Sequence, residues 1–129
     1  MNAVIFTGSR KWTRWDVVNK VIEEHPADTI VIHGAAEGLD SIVNELAKRR
    51  NMTIIPCPAQ WDTLGKSAGP KRNIEMLNIL ISLQNCGYEV SVEAFPLEDS
   101  IGTKHMIKIA KEKNIKVREA FRVSKQQKL

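Results

Sequence analysis

The sequence has little cysteine, little histidine and no long hydrophobic run. Its 129 residues include only Cys57 and Cys86, which are far apart, and three scattered histidines. Two isolated cysteines argue for a reducing compartment and against a disulfide framework, and no spacing matches a metal site. No apolar run could span a bilayer, and the N-terminus lacks the layout of a signal peptide. We therefore predict a cytoplasmic protein with no metal, no cofactor and no membrane partner.

Aromatic residues are also scarce, at 5% of the chain, so few side chains could stack on the bases of single-stranded nucleic acid. The formal net charge is +4, a mild basic excess that suits phosphorylated small molecules as well as nucleic acid. Part of that charge lies in the polar segment 122–129, which we expect to be a C-terminal tail. The length suits one domain, which we place at residues 1–121. Nucleic acid is thus a possible partner that the composition does not favour.

Short apolar runs alternate with helical periodicity along the chain. Strands are predicted at residues 3–6, 29–33, 52–55, 90–95 and 115–120, the last of them edge-like. Their alternation with helices predicts one three-layer α/β domain, with a mostly parallel five-stranded sheet and helices on both faces. Residues 90–94 alternate apolar and polar, which is unexpected for a central parallel strand. The helix that starts near residue 70 is apolar on more than one side, which allows a homodimer or higher homo-oligomer.

Glycine-containing turns fall where these strands should end, at residues 7–10, 34–40, 65–73 and 102–104. Ligands of open α/β sheets bind beyond the carboxyl ends of the strands, and glycine turns let backbone N–H groups approach an oxyanion. The basic stretch 65–76 runs into a helix at Pro70, and free N–H groups at such a helix start bind anions. Lys66, Lys71 and Arg72 add positive charge, and Arg72 can hold a phosphate through two parallel hydrogen bonds. The pattern predicts a phosphorylated ligand, although it contains neither a Walker motif nor a GxGxxG fingerprint.

In order and spacing, five motifs resemble the YspA-like group of the SLOG superfamily, the DUF2493 type of domain, which is related to LOG lysine-decarboxylase-like proteins and to DprA. The motifs are TGSR at 7–10, HGAAEGLD at 33–40, AQW at 59–61, GKSAGPKRNIEM at 65–76 and GTKHM at 102–106. The resemblance covers the chain from residue 4 to about residue 117. It implies a Rossmann-like domain of a bacterial and phage family that binds a nucleotide or a nucleotide-derived ligand of the NAD or ADP-ribose type.

The resemblance also implies which residues hold the ligand. The turns after the first two strands would line its phosphates, Asp40 would approach a ribose or order its loop, and Arg72 would be the main clamp. Trp61 could stack on a base, and Lys66 adds charge to the same region. The predicted ligand-binding residues are Gly8, Ser9, Arg10, Gly34, Ala35, Gly38, Asp40, Trp61, Lys66, Arg72, Asn73, Gly102 and Thr103.

The favoured function is the capture of a phosphorylated nucleoside or an NAD- or ADP-ribose-like molecule, as a sensor or a sequestering protein, in the host cytoplasm if the chain is viral. The alternative is a nucleotide N-glycosidase or nucleoside 5′-monophosphate phosphoribohydrolase that releases free base, as LOG enzymes do. The glutamate of those enzymes has no counterpart closely after Thr103, although Glu98 and Asp99 precede the glycine, so an enzyme is not favoured. Single-stranded DNA binding, suggested by the kinship with DprA, is the third hypothesis.

Five further interpretations concern single side chains. Trp12 should pack a loop, Trp15 should lie in the core, and His33 should brace the end of its strand. His105 could be a general acid, but solvent exposure is the simpler expectation. Asp40 could be a base, although capping the following helix is the commoner role for such an aspartate.

Overall fold

Short runs rich in valine and isoleucine form one sheet in the computed structural model, which describes residues 1–98 and 100–119. The strands are β1 (Asn2–Gly8), β2 (Ile30–His33), β3 (Thr53–Pro56), β4 (Glu89–Phe95) and β5 (Lys116–Glu119). They lie in the order β3-β2-β1-β4-β5, and all four pairings are parallel. The prediction of a mostly parallel five-stranded sheet is confirmed, and β5 lies at its edge as expected.

Helices cover both faces of this sheet, because each long helix buries an apolar stripe. The helices are α1 (Trp15–Glu23), α2 (Leu39–Arg49), α3 (Trp61–Leu64), α4 (Ala68–Asn85) and α5 (Ile101–Glu112), and a 3₁₀ turn (Gly65–Ser67) joins α3 to α4. α1 and α2 pack on the face that presents Val4 and Phe6, whereas α4 and α5 pack on the face that presents Ile5. The predicted three-layer α/β architecture is therefore confirmed.

The alternating pattern of β4 has a structural cause. Glu93 lies in the middle of this central strand and is only 3% exposed. Arg118 of β5 donates from Nε to Oε1 of Glu93 over 2.7 Å, and Nε2 of His25 lies 2.7 Å from Oε2. Burial by itself raises the pKa of Glu93, but the hydrogen bonds from His25 and Arg118 outweigh burial and hold the pKa below its usual 4.5. A central strand tolerates this carboxylate because it is paired.

One core residue was predicted wrongly. Trp15 is the first residue of α1 and is 44% exposed, whereas the buried side of this helix begins at Val18. Instead, the guanidinium of Arg49 from α2 lies over the Trp15 ring, 5.9 Å from the centroid of the ring. The first turn of α1 precedes the part of the helix that packs on the sheet.

Several sequence predictions fall on residues that the structure does not describe. They are Asp99, the end of the last strand at Ala120, the domain boundary at residue 121 and the tail at 122–129. Among residues 1–98 and 100–119, no helix combines the length and the apolar character that crossing a membrane requires.

Candidate ligand-binding cleft

A cavity of about 420 Å³ opens at the carboxyl ends of β1 and β4. β1 has β2 on one side and β4 on the other, so the chain reverses its direction of travel across the sheet at this point. Such a switch point is where open α/β sheets bind ligands, and the volume lies within the roughly 300–1,000 Å³ of small-molecule sites. The lining of this switch-point cavity consists of Phe6, Thr7, Gly8, Ser9, Arg10, Lys11, Ala36, Asp40, Trp61, Lys66, Gly69, Pro70, Arg72, Asn73, Met76, Ser100, Ile101, Gly102, Thr103 and His105.

The fold brings most of the predicted site residues to this one cavity, although whether they bind a ligand stays a prediction. Those that line it are Gly8, Ser9, Arg10, Asp40, Trp61, Lys66, Arg72, Asn73, Gly102 and Thr103. Gly34, Ala35 and Gly38 do not line it. They belong to the loop after β2, in which Gly34 leaves room for Arg72 and Gly38 packs on the backbone of Arg10 at a φ of +71°.

Arg72 is held in the cavity by two hydrogen bonds to the protein. Its Nη1 donates to the carbonyl of Gly34 over 2.5 Å, and its Nε donates to Oδ1 of Asn73 over 3.1 Å. Burial lowers the pKa of the Arg72 guanidinium, Asp40 opposes this effect, and the positive charge of Arg10 adds to it. Nη2 is the nitrogen that no described residue engages, so its N–H groups are left for a ligand.

Asp40 supplies a buried carboxylate to the cavity wall. Its Oδ2 accepts hydrogen bonds from the backbone N–H groups of Gly34 and Ala36, each at 3.2 Å. Its Oδ1 is buried and meets no hydrogen-bond partner among the described residues. Burial raises the pKa of Asp40 above its usual 3.8, and nearby positive charges oppose the rise only in part. Asp40 therefore orders the loop after β2 rather than capping α2, whose N-cap is Gly38, so the capping expectation was wrong.

The helix start that lines the cavity is that of α5, and no described residue accepts from the N–H groups of Ile101 to Thr103. The first residues of this helix, Ile101 to Thr103, line the cavity, and an α-helix leaves its first N–H groups without intrahelical partners. The start of α4 differs from the expectation, because the 3₁₀ turn runs directly into the helix. The N–H of Ala68 already donates to the carbonyl of Gly65, and Pro70 has no N–H to offer. Lys66 lines the cavity, but Lys71 does not.

Two tryptophans close to the cavity have different roles. Trp61 lines the cavity mouth, and the Arg10 guanidinium lies 5.1 Å from the centroid of its ring, in cation–π contact. Trp12 is buried and packs edge-on against Phe95, with the ring centroids 5.4 Å apart. The packing interpretation of Trp12 is confirmed. A base could stack on Trp61 only where Arg10 does not already cover the ring.

The side-chain amide of Asn73 makes its hydrogen bonds within the protein. Besides accepting from Arg72, it donates through Nδ2 to the carbonyl of Gly102 over 3.0 Å, and the same nitrogen lies 3.1 Å from Nδ1 of His105. Asn73 thereby ties α4 to α5 across the cavity floor. His105 is half-buried and lines the cavity, so the expectation of simple exposure was wrong. Its place one helical turn after Ile101 puts it near the helix start, but no pattern in the sequence indicates the contact with Asn73.

His33 has the bracing role that was expected. Its Nδ1 accepts from the N–H of Ala35 over 2.9 Å, and its Nε2 lies 2.9 Å from Oδ1 of Asn44. The described residues contain no group of three or more histidines, cysteines, aspartates or glutamates placed to hold a metal ion. Both cysteines are free thiols.

Comparison with known proteins gives three findings. A model of the YspA, cpYpsA-related SLOG family matches residues 2–63. The Gene 61 protein of Mycobacterium phage D29 is 35% identical over 126 residues, which span 91% of this chain and 94% of the phage protein. Among solved structures, DNA processing protein A (DprA) from Streptococcus pneumoniae superposes with a TM-score of 0.56 at 16% identity, over 92% of this chain. This chain spans only 58% of the length of DprA, and the likeness at that identity is one of fold.

Proposed function

Since this chain belongs to the YspA, cpYpsA-related SLOG family, we propose that it binds a phosphorylated, nucleotide-derived small molecule in the switch-point cavity. The observation that carries the proposal is the meeting of positive groups in one partly buried place. Arg10 is close enough to Arg72 for its positive charge to lower the pKa of the Arg72 guanidinium, and the first turn of α5 lines the same cavity. An anion between these groups would relieve their repulsion and would accept hydrogen bonds from the helix start.

Asp40 supports a ligand that carries hydroxyl groups as well as phosphate. Its Oδ1 is buried at the cavity wall without a partner among the described residues, and burying such an atom costs free energy. A sugar hydroxyl that donates to Oδ1 would recover that cost, and it would reach this buried atom through a local movement of the cavity wall. Phosphate at Arg72 and a hydroxyl at Asp40 together describe a phosphorylated sugar, which is the part that nucleotides, NAD and ADP-ribose share.

The proposal is tested by mass spectrometry of small molecules that copurify with the protein, followed by thermal-shift screening of nucleotides. A ligand that binds only the native state should stabilise it by about 2.7 kcal/mol at a hundredfold excess over its Kd. Arg72→Ala should abolish the shift. Lys71→Ala is the matched control, because it removes the neighbouring charge but lies outside the cavity lining. Equal shifts in both variants would refute a site centred on Arg72.

A nucleotide N-glycosidase is the second candidate, and Asp40 is the observation that favours it. Among the described residues, Asp40 is the carboxylate that lines the cavity, and its raised pKa is of the kind found in catalytic carboxyl groups. The test is incubation with nucleoside monophosphates and NAD, with detection of free base. Release of base by the wild type that is lost in Asp40→Asn would place the enzyme ahead of the binding protein.

The compartment and the assembly are also matters of proposal. We propose that the protein works in a reducing cytoplasm, which agrees with its two free thiols, and the phage relative supports a host cytoplasm. A homodimer remains part of the proposal. α4 buries most of its apolar residues inside the chain but leaves Ile74 48% exposed, so Ile74 marks the surface on which a second copy would pack.

A further inference from the structure

The orientation of the Asn73 side-chain amide is fixed by two neighbours whose hydrogen-bonding character cannot change. Nε of Arg72 can only donate, so it must face the amide oxygen, which it does at 3.1 Å. The carbonyl of Gly102 can only accept, so it must face the amide nitrogen, which it does at 3.0 Å. Exchanging the oxygen and the nitrogen would therefore break both bonds. Asn73 consequently presents N–H to its third neighbour, His105.

The fixed amide determines which nitrogen of His105 carries the proton. Nδ1 of His105 lies 3.1 Å from the Asn73 amide nitrogen, and a proton on Nδ1 would point at the amide hydrogens. Nδ1 must therefore accept, which leaves the proton of the neutral imidazole on Nε2. We infer that the relay from Arg72 through Asn73 holds His105 as the Nε2–H tautomer, so that His105 is an uncharged hydrogen-bond donor to the phosphate of the ligand.

The position of His105 fits a donor to an anion. His105 lines the switch-point cavity, and no described residue accepts a hydrogen bond from its Nε2. Side chains of an α-helix lean toward the N-terminus, so a residue one turn into α5 reaches back toward the helix start. The donor thus converges with the N–H groups of Ile101 to Thr103 on one oxyanion. This role rests on the proposed function, because it needs a phosphorylated ligand in the cavity.

The tautomer can be measured without any ligand. Two-bond ¹⁵N–¹H correlation NMR at neutral pH distinguishes Nε2–H from Nδ1–H in each histidine, and His105→Ala identifies the signals of His105 by their loss. His33 is an internal reference, because its Nδ1 accepts from the backbone N–H of Ala35 and its proton must lie on Nε2. We expect His105 to give the same pattern as His33. A proton on Nδ1 of His105 would overturn the relay.

The contact with the ligand is measured by titration calorimetry with inorganic pyrophosphate. A hydrogen bond to a charged group contributes about 1.5–3 kcal/mol, so His105→Ala should bind about tenfold to a hundredfold more weakly than the wild type. Lys108→Ala, which removes a whole charge from an exposed position on the same helix, should bind as the wild type does. Unchanged affinity of His105→Ala would overturn the contact and leave the proposed function standing. A wild type that binds no pyrophosphate would instead count against the proposed function, and against this contact with it.

Asn73→Asp separates the relay from a merely structural role of His105. A carboxylate at residue 73 still accepts from Arg72 but can no longer donate, so the proton of His105 should move to Nδ1. We expect the NMR pattern to change and the pyrophosphate affinity to fall, although His105 itself is intact. An unchanged pattern in the folded variant would overturn the relay. If the variant does not fold, the result for His105→Ala still decides whether the contact exists.

Discussion

Replacing Gly34 by alanine should displace Arg72 without forbidding the fold. A Cβ at residue 34 would stand 2.3 Å from Nη1 of Arg72, 2.7 Å from its Cζ and 3.0 Å from Oδ2 of Asp40. Carbon atoms in contact prefer separations of about 3.5–4.0 Å, so the guanidinium would have to move by about 1 Å. Gly34 does not have a positive φ, so alanine can adopt the local backbone conformation. The main loss is therefore the hydrogen bond from Nη1 to the Gly34 carbonyl.

The expected cost follows from that one bond. A hydrogen bond to a charged group contributes about 1.5–3 kcal/mol, and the loss of chain entropy in the unfolded state on replacing glycine by alanine returns about 0.4–1 kcal/mol. We expect Gly34→Ala to lower the free energy of unfolding by about 1–2 kcal/mol in urea denaturation, and to weaken pyrophosphate binding in calorimetry. Arg72 can swing away, which keeps the cost below that of a clash with backbone.

Gly102→Ala is the matched control for stability. Gly102 also lines the cavity, but a Cβ there would meet no atom within 4 Å, and its place in the first turn of α5 suits alanine. The free energy of unfolding should stay unchanged or rise by up to about 1 kcal/mol. Two results would refute the idea that Gly34 is needed for the close approach of Arg72. One is a Gly34→Ala variant that is as stable as the wild type, and the other is a Gly102→Ala variant that loses as much stability as Gly34→Ala.

For four other variants we expect specific changes in stability or in oligomeric state. Gly38→Ala should cost about 3 kcal/mol or more in urea denaturation, because φ is +71° and the new Cβ would meet a backbone carbonyl 2.3 Å away; a cost below that of Gly34→Ala would contradict this. Asp40 has a raised pKa, so its ionisation opposes folding as pH rises above about 3.8. Asp40→Asn should therefore gain stability relative to the wild type as pH rises from that value, and a gain that shrinks with rising pH would refute this. Glu93 has a lowered pKa, so its contribution is present above about 4.5 and lost as pH falls; Glu93→Gln should flatten the acid limb of the stability curve, and an unaltered limb would argue against the pairing with Arg118. Sedimentation velocity should find a dimer that Ile74→Asp converts to a monomer, and a monomeric wild type would exclude this surface.

The covered parallel sheet, and the edge of it at which the cavity opens, follow from local patterns. Apolar runs separated by helical stripes require a covered parallel sheet, and glycine turns after the strands mark the edge where a ligand would bind. What the periodicity could not supply is the partner of a polar residue. Glu93 made β4 look unlike a central strand, because its partners lie 25 and 68 residues away in sequence, at Arg118 and His25.

Most of the predicted site residues line one cavity, whereas the contacts of several of them differ from what the sequence indicated. The helix start at α4 appeared to offer free N–H groups, but the 3₁₀ turn before it consumes one of them, and a three-residue turn leaves no periodic signal. Asn73 lines the cavity as expected and also accepts from Arg72, whereas Gly34 lies outside the lining and accepts from Arg72 through its carbonyl. Such roles depend on contacts between α4 and the loop after β2, which are distant in sequence.

The contacts of His105 also could not be read from the sequence, although here the structure adds a cavity residue that was not expected. A lone histidine in the first turns of a helix gives no sign of its neighbours, so exposure was the reasonable expectation. The contact with Asn73, 32 residues away, is the basis of the inferred tautomer, and the cavity lining gives the position of His105. Sequence patterns locate donors and charges, whereas the tertiary contacts decide which hydrogen of each group is left for a ligand.

The most direct test of an anion-binding switch-point cavity is a crystal structure of the protein with pyrophosphate or with its copurifying ligand. We expect a phosphate group within about 3 Å of Nη2 of Arg72 and of the first N–H groups of α5. A phosphate bound on another surface, with the cavity between β1 and β4 filled only by water, would contradict it.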